Sequence, residues 1–236
     1  MRTISIGDIH GRECWKEVIK DVDTYDKIIF VGDYVDSFNV PAVIQKHNLK
    51  EIIEFKKSYP DKVVLLLGNH DIQYMLYPQC RCSGFQAVFQ IDFTQIFREN
   101  RELFQAAFQI DNYLWTHAGV HTGWYRDYCR YTNPHKPSWL TPKMELSEII
   151  NHYYLHNDHG VFNVGWMRGG TADVGGPFWL DRRNAWKKPI DGYHQIFGHT
   201  YISDGHIKHL DINENTSVTC VDTLKDFNPN FYIKEI

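Results

Sequence analysis

No apolar run in this chain approaches the ~20 residues that cross a bilayer, so no membrane span is expected. Positive charge is not in excess either. A net charge of −4 over 236 residues gives no general electrostatic attraction to nucleic acid. Repeats, low-complexity tracts and Pro/Ser-rich linkers are missing, so one domain over 1–236 is expected. The opening stretch MRTISIGDIHG enters a strand pattern at once and has no room for the apolar core of a signal peptide. A cytoplasmic location is the corresponding expectation. The five cysteines, Cys14, Cys80, Cys82, Cys129 and Cys220, are odd in number, which argues against a disulfide framework. Cys80 and Cys82, in QCRCSG, could form half a zinc site. No second pair follows, and they are read as a reduced surface pair.

What remains is an ordinary globular composition, 43% hydrophobic and 23% charged, with strongly patterned segments. Arg2–Gly7, Asp26–Asp33 and Lys62–Asn69 are near-continuous apolar runs, as in strands covered on both faces. Between them, Arg12–Val22 and Pro41–Tyr59 carry apolar residues at helical spacing. Strand, helix, strand, helix, strand predicts an α/β fold with right-handed crossovers. Residues 84–110 show helical spacing as well and are read as a helical insertion at about 72–110. A strand at Asn112–Gly119, a helix at Met144–His156 and four strands in the last third complete the expected order. Aromatic residues in 113–139 and in GPFW (Gly176–Trp179) suit either base stacking or the core.

The chemistry lies where those strands stop. GDIHG at Gly7–Gly11, GDYVDS at Gly32–Ser37, GNHD at Gly68–Asp71, THAG at Thr116–Gly119 and GHT at Gly198–Thr200 each set polar side chains beside a glycine. In open α/β sheets, ligands collect at the carboxyl ends of strands. Asp8 and His10 are two apart, which in an extended segment puts them on one side. Asp33 offers a carboxylate able to bridge two cations, and Asn69, His117 and His199 add an amide oxygen and two imidazoles. Such a donor set suits divalent Mn, Fe, Zn, Co or Ni. Two such ions ~3.5–4 Å apart would clamp a phosphoryl group. The remaining histidines match no motif.

Taken in order, GD-x-H-G, GD-x-x-D, GNH-D, H-A-G and GH-T resemble the calcineurin-like metallophosphoesterase superfamily. The branch resembled is that of the PPP-type serine/threonine phosphatases, lambda-type phosphatases and diadenosine tetraphosphatases. The resemblance implies a β-sandwich flanked by helices in α/β/β/α layers. It also implies two divalent ions, with manganese foremost. Asp8, His10 and Asp33 would hold the first ion, and Asp33, Asn69, His117 and His199 the second. A metal-bridging hydroxide would attack phosphorus directly, with His70 as general acid oriented by Asp36. The expected substrate is a phosphoprotein, a nucleotide or a dinucleoside polyphosphate.

The chain departs from the pattern in three places. Ser37 and Leu67 stand where relatives carry phosphate-binding arginines, so Arg168, Arg182 and Arg183 become the candidates for that grip. Tyr201 replaces the second histidine of GHTH, which leaves the first ion three protein ligands. That departure counts against the alternative of a phosphodiesterase or nuclease on the same scaffold. The other alternative, a non-catalytic metal-binding scaffold, would have no need of His70 and Asp36. Asp71 could be a helix cap or part of the site.

Overall fold

The computed structural model describes residues 1–130, 132–224 and 229–236. It is a mixed α/β protein with two five-stranded sheets flanked by helices. Two compact units are distinguished. One comprises 1–104, 201–207 and 221–236, and the other 105–200 and 208–220.

The first unit is built from β1 (Arg2–Ile6), α1 (Lys16–Ile19), β2 (Lys27–Phe30), α2 (Ala42–Ser58), β3 (Val63–Leu66), α3 (Asn69–Met75) and α4 (Gln90–Glu99). The short strand β4 (Phe104–Gln105) and the late strand β10 (Tyr232–Glu235) complete its sheet, whose order is β10-β1-β2-β3-β4. β1, β2 and β3 run parallel, and β10 returns antiparallel to β1. Ile4, Ile6, Ile28, Ile29, Phe30 and all four residues of β3 are buried, which accounts for their unbroken apolar runs. α2 buries Leu49, Ile52, Ile53 and Phe55. Its polar Asn48, also buried, accepts a 2.8 Å hydrogen bond from Trp15 Nε1.

The second unit holds β5 (Ala107–Ile110), β6 (Tyr113–Thr116), α5 (Thr122–Trp124), α6 (Leu146–Leu155), α7 (Arg182–Lys187), β7 (His194–Phe197), β8 (Lys208–Asn213) and β9 (Thr216–Cys220). The strand order is β5-β6-β7-β9-β8, with a parallel centre and antiparallel edges. Trp115, Trp124 and Phe178 are fully buried, so much of the aromatic content of 113–139 and of GPFW is core. Tyr131, in the same stretch, lies outside the described residues.

Two readings of local structure change. The helix expected over Arg12–Val22 shortens to Lys16–Ile19, and the residue that precedes it, Trp15, supplies no side-chain cap. Residues 76–86 are not helical, and 107–110 form an edge strand in place of a helix. Ala107 pairs with Thr116 and Ile110 with Tyr113, so the partner strand, not the segment's own spacing, decides its conformation.

Candidate metal centre and general acid

In the first unit the strand ends deliver Asp8, Asp33 and Asn69, all buried. β1 ends at Ile6, so the alternation argument for Asp8 and His10 does not apply. Both lie beyond the strand, and His10 takes a left-handed φ of 44°. Asp33 (φ 54°) and Asp36 (φ 67°) share that conformation. Left-handed backbone costs a non-glycine residue roughly 1 kcal/mol or more, and such strain gathers at functional sites.

The surrounding backbone holds these turns in place. His10 N donates to Asp33 O at 2.7 Å and Gly11 N to Tyr34 O at 2.9 Å. Gly32 and Gly68 face one another. A Cβ on Gly32 would fall on the Gly68 backbone, and one on Gly68 would fall on the Asp33 carboxylate. Only two bare Cα atoms let these loops close, which is why both motifs contain glycine.

Asp71 is the fastener that motif spacing left ambiguous. Its Oδ2 accepts from Asp33 N (2.7 Å) and Gly68 N (2.8 Å), and its Oδ1 from Tyr34 N (2.8 Å). It therefore caps α3 and ties the Asp33 loop at the same time. Burial and the neighbouring Asp33 charge push its carboxyl well above the usual carboxylate range, against the pull of those three N–H groups. Asp71→Ala leaves three backbone donors without their acceptor. At ~1–3 kcal/mol per unsatisfied group, the expected loss is about 3 kcal/mol or more in urea denaturation of the metal-free protein. A loss below about 1 kcal/mol would mean that water replaces the carboxylate.

Two histidines of this unit, with ring centroids 5.1 Å apart, are driven to opposite protonation states. Burial lowers the His10 pKa to about 4, overriding the Asp33 charge that would raise it. Its Nδ1 lies 2.7 Å from Val35 O, a pure acceptor, so Nδ1 carries the hydrogen and Nε2 keeps the lone pair. A neutral imidazole fixed by a carbonyl on its far nitrogen is the form that ligates metals. Its Nε2 is 3.7 Å from Asp33 Oδ2.

His70 goes the other way. Burial works against its charge, but Asp33 and the Asp36 hydrogen bond outweigh it and push the pKa up to about 12. Its Nδ1 donates to Asp36 Oδ2 at 3.1 Å, and its backbone N–H donates to Asp33 Oδ1 at 2.9 Å. Asp36 is itself held by Gln73 Nε2 and Tyr74 OH. Two neighbouring titratable groups are thus pushed apart, one held neutral and the other protonated. Donor atoms of His10, Asp33 and His70 all lie within 4.8 Å of one another.

The residues beside Asp36 and Asn69 explain two departures from the family pattern. Ser37 is buried, and its Oγ accepts from Asn39 N (3.2 Å) and Val40 N (3.0 Å), so it builds a turn where relatives have an arginine. Leu67 is fully buried in the core. Tyr34 is no ligand: its hydroxyl donates to Leu66 O at 2.8 Å.

In the second unit, His117 and His199 lie just beyond the ends of β6 (Thr116) and β7 (Phe197). His117 is fully buried, and its Nε2 lies 3.1 Å from His199 Nδ1. The two rings meet edge to face with centroids 5.0 Å apart. His199 also has left-handed backbone, φ 64°. Arg168 donates through Nη2 to Thr200 Oγ1, the residue after His199, and its Nε meets Asp181 Oδ2 at 3.1 Å. Arg183 meets the other oxygen of Asp181 at 2.8 Å from an exposed position. Arg182 lies over Trp186, 4.8 Å from the ring centroid. Of the three arginines considered from sequence, Arg168 is the one hydrogen-bonded beside a site histidine. Cys82, read from sequence as one of a reduced surface pair, sits against His70.

Carboxylates, an amide and imidazoles gathered just beyond strand ends are the donor types that hold divalent metal ions. The chain belongs to the calcineurin-like phosphoesterase family, whose model matches residues 1–203. It is a metal-dependent phosphoric ester hydrolase, and the family uses divalent metal ions, typically two. A point mutant of a cold-active protein tyrosine phosphatase is 15% identical and superposes with a TM-score of 0.61, covering 98% of this chain and 74% of that one. That likeness concerns the fold. A metallophosphoesterase from Sphaerobacter thermophilus is 17% identical with a TM-score of 0.47, covering 100% of this chain and 84% of that one. A Saccharomyces cerevisiae serine/threonine phosphatase similar to human PP5 is 16% identical with a TM-score of 0.35, covering 94% of this chain and 55% of that one. No curated protein sequence matches the chain. No helix among the described residues is long and apolar enough to cross a membrane.

Proposed function

We propose that this protein is a dinuclear phosphohydrolase acting on phosphomonoesters or phosphoanhydrides. In this reading Asp8, His10, Asp33, Asn69, His117 and His199 hold two divalent ions, with manganese the first to test. The ions would polarise the phosphoryl oxygens and activate the attacking water. The chain's own residues do the rest. Arg168 grips a phosphoryl oxygen while Asp181 holds its guanidinium in place. His70 gives a proton from Nε2 to the leaving oxygen, and Asp36 keeps the ring oriented and charged through Nδ1. The observation that carries the reading is the opposed pair: His10 deprotonated with its lone pair towards Asp33, and His70 protonated on a buried carboxylate. A cytoplasmic setting, with none of the five cysteines in a disulfide, is part of the same proposal.

The test is hydrolysis by metal-stripped protein with Mn²⁺ restored. The substrates are p-nitrophenyl phosphate, bis-p-nitrophenyl phosphate, a phosphopeptide and diadenosine tetraphosphate. Metal-dependent turnover of the monoester or the tetraphosphate, with the diester untouched, supports the reading. Preference for the diester moves the protein to phosphodiesterases, and silence on all four favours a scaffold. Arg168→Ala is expected to lower kcat/KM by about 10- to 100-fold, mostly through KM, the loss of one charge-assisted contact of ~1.5–3 kcal/mol. Arg182→Ala should leave KM close to wild type. The reverse result would relocate the grip to α7.

A further inference from the structure

Cys82 lies outside the metal donor set, yet its thiol adjoins the proposed acid. Its Sγ is 3.6 Å from His70 Nδ1, and that nitrogen is 3.1 Å from Asp36 Oδ2. The sulfur, the nitrogen and a carboxylate oxygen all fall within 4.8 Å of one another. We propose that Cys82, His70 and Asp36 form a separate inhibitory site for a thiophilic divalent cation such as Zn²⁺ or Cd²⁺.

Two of the three donor separations match such an ion, and the third is within 4.8 Å. Zinc bonds of about 2.3 Å to sulfur and about 2.0–2.1 Å to nitrogen, at a tetrahedral angle, put S and N about 3.6 Å apart and N and O about 3.4 Å apart. The observed 3.6 and 3.1 Å lie at or just inside those separations. The three ligands would be thiolate, imidazole and carboxylate, with one position left for water. That is a borderline-soft set, unlike the nitrogen–oxygen set assigned to the catalytic ions. The carboxylate is already oriented from behind, since Tyr74 OH and Gln73 Nε2 both donate to Asp36. Cys82 is partly exposed, so an ion can reach it. The donor cluster takes in Cys82 and leaves out its neighbour Cys80, which separates the two residues that QCRCSG presents as a pair.

The chemistry of occupancy is simple. The cation replaces two protons, one on His70 Nδ1 and one on Cys82 Sγ, and both leave to solvent. The ring keeps its Nε2 hydrogen but is no longer an imidazolium. Donating that hydrogen would then require an imidazolate, so the acid is switched off. This consequence rests on the reading of His70 as the acid, whereas the site itself does not.

The test uses full-length protein loaded with Mn²⁺ and titrated with Cd²⁺, following the thiolate-to-metal charge-transfer absorption that only a sulfur ligand can give. A saturating band is expected in the wild type and in Cys80→Ser. It should be lost in both Cys82→Ser and Cys82→Ala, and weakened at least tenfold in affinity in His70→Ala. A band that survives in the Cys82 variants, or no band in the wild type, overturns the site. In parallel, Zn²⁺ is titrated against p-nitrophenyl phosphate turnover, each variant scored against its own zinc-free rate. The inhibitory concentration should rise at least tenfold in Cys82→Ser. A band that depends on Cys82, with inhibition that does not, would keep the site and overturn its coupling to catalysis.

Discussion

Alanine at position 70 is expected to cut turnover of a phosphomonoester by ~10²–10⁴-fold while the metal content stays at the wild-type level. In the proposed reading the side chain contributes a proton and no bond to the catalytic metals, because its Nδ1 is committed to Asp36 and the ring is held as a cation. The deficit should depend on the leaving group. A p-nitrophenolate leaves readily without protonation, whereas an alkoxide does not, so an alkyl phosphate should suffer more than p-nitrophenyl phosphate. Equal deficits on both would point to charge stabilisation in place of proton transfer. Loss of metal from the variant, read by elemental analysis, would make His70 a ligand and sink the assignment.

A pH signature accompanies this in the metal-free protein. The folded pKa of His70 is raised above its ordinary value of 6.5, to about 12. Its contribution to stability is therefore complete below about 6.5 and fades as pH climbs towards about 12. The stability gap between wild type and His70→Ala should narrow along that climb, as measured by urea denaturation.

Legibility from sequence followed the physics of each element. β1, β2 and β3 could be placed because parallel strands covered on both faces must be apolar throughout, and α2 because seventeen residues give an amphipathic pattern room to repeat. β5 escaped because an edge strand borrows its conformation from the strand beside it, and Ala107–Ile110 carries no period of its own. The strand-end polar groups were visible as motifs, but their mechanics were not. Nothing in GNHD announces that Asp71 accepts three backbone hydrogens from two different loops. Nor does any spacing reveal that His10 and His70 would sit 5.1 Å apart, one neutral and one protonated, since burial and the carboxylates beside His70 decide that. Cys82 reaches His70 through a non-helical stretch, where periodicity has nothing to say.

The D33N substitution should be the most damaging single change, because one side chain serves two partners and the proposed pair of ions. Asp33 Oδ1 receives the His70 backbone N–H at 2.9 Å, and Oδ2 faces the lone pair of His10 at 3.7 Å. Asparagine tolerates the left-handed backbone at this position and can still accept from His70, so the fold should survive. What disappears is the negative charge. A neutral amide offers one oxygen where two cations require a shared anion. Loss of an outer-shell partner alone costs about 10–100-fold in metal affinity, so removal of the proposed bridge should exceed ~100-fold. The protein purified with Mn²⁺ should then carry less than its full metal complement and show no turnover above background. The same change removes the charge that raises both His10 and His70, so His70 should also deprotonate at lower pH than in the metal-free wild type. A D33N protein that is folded, fully metal-loaded and active would rule out Asp33 as the bridge. A folded, metal-poor and inactive one, with His70 titrating lower, would tie metal retention and the charge on the acid to one carboxylate.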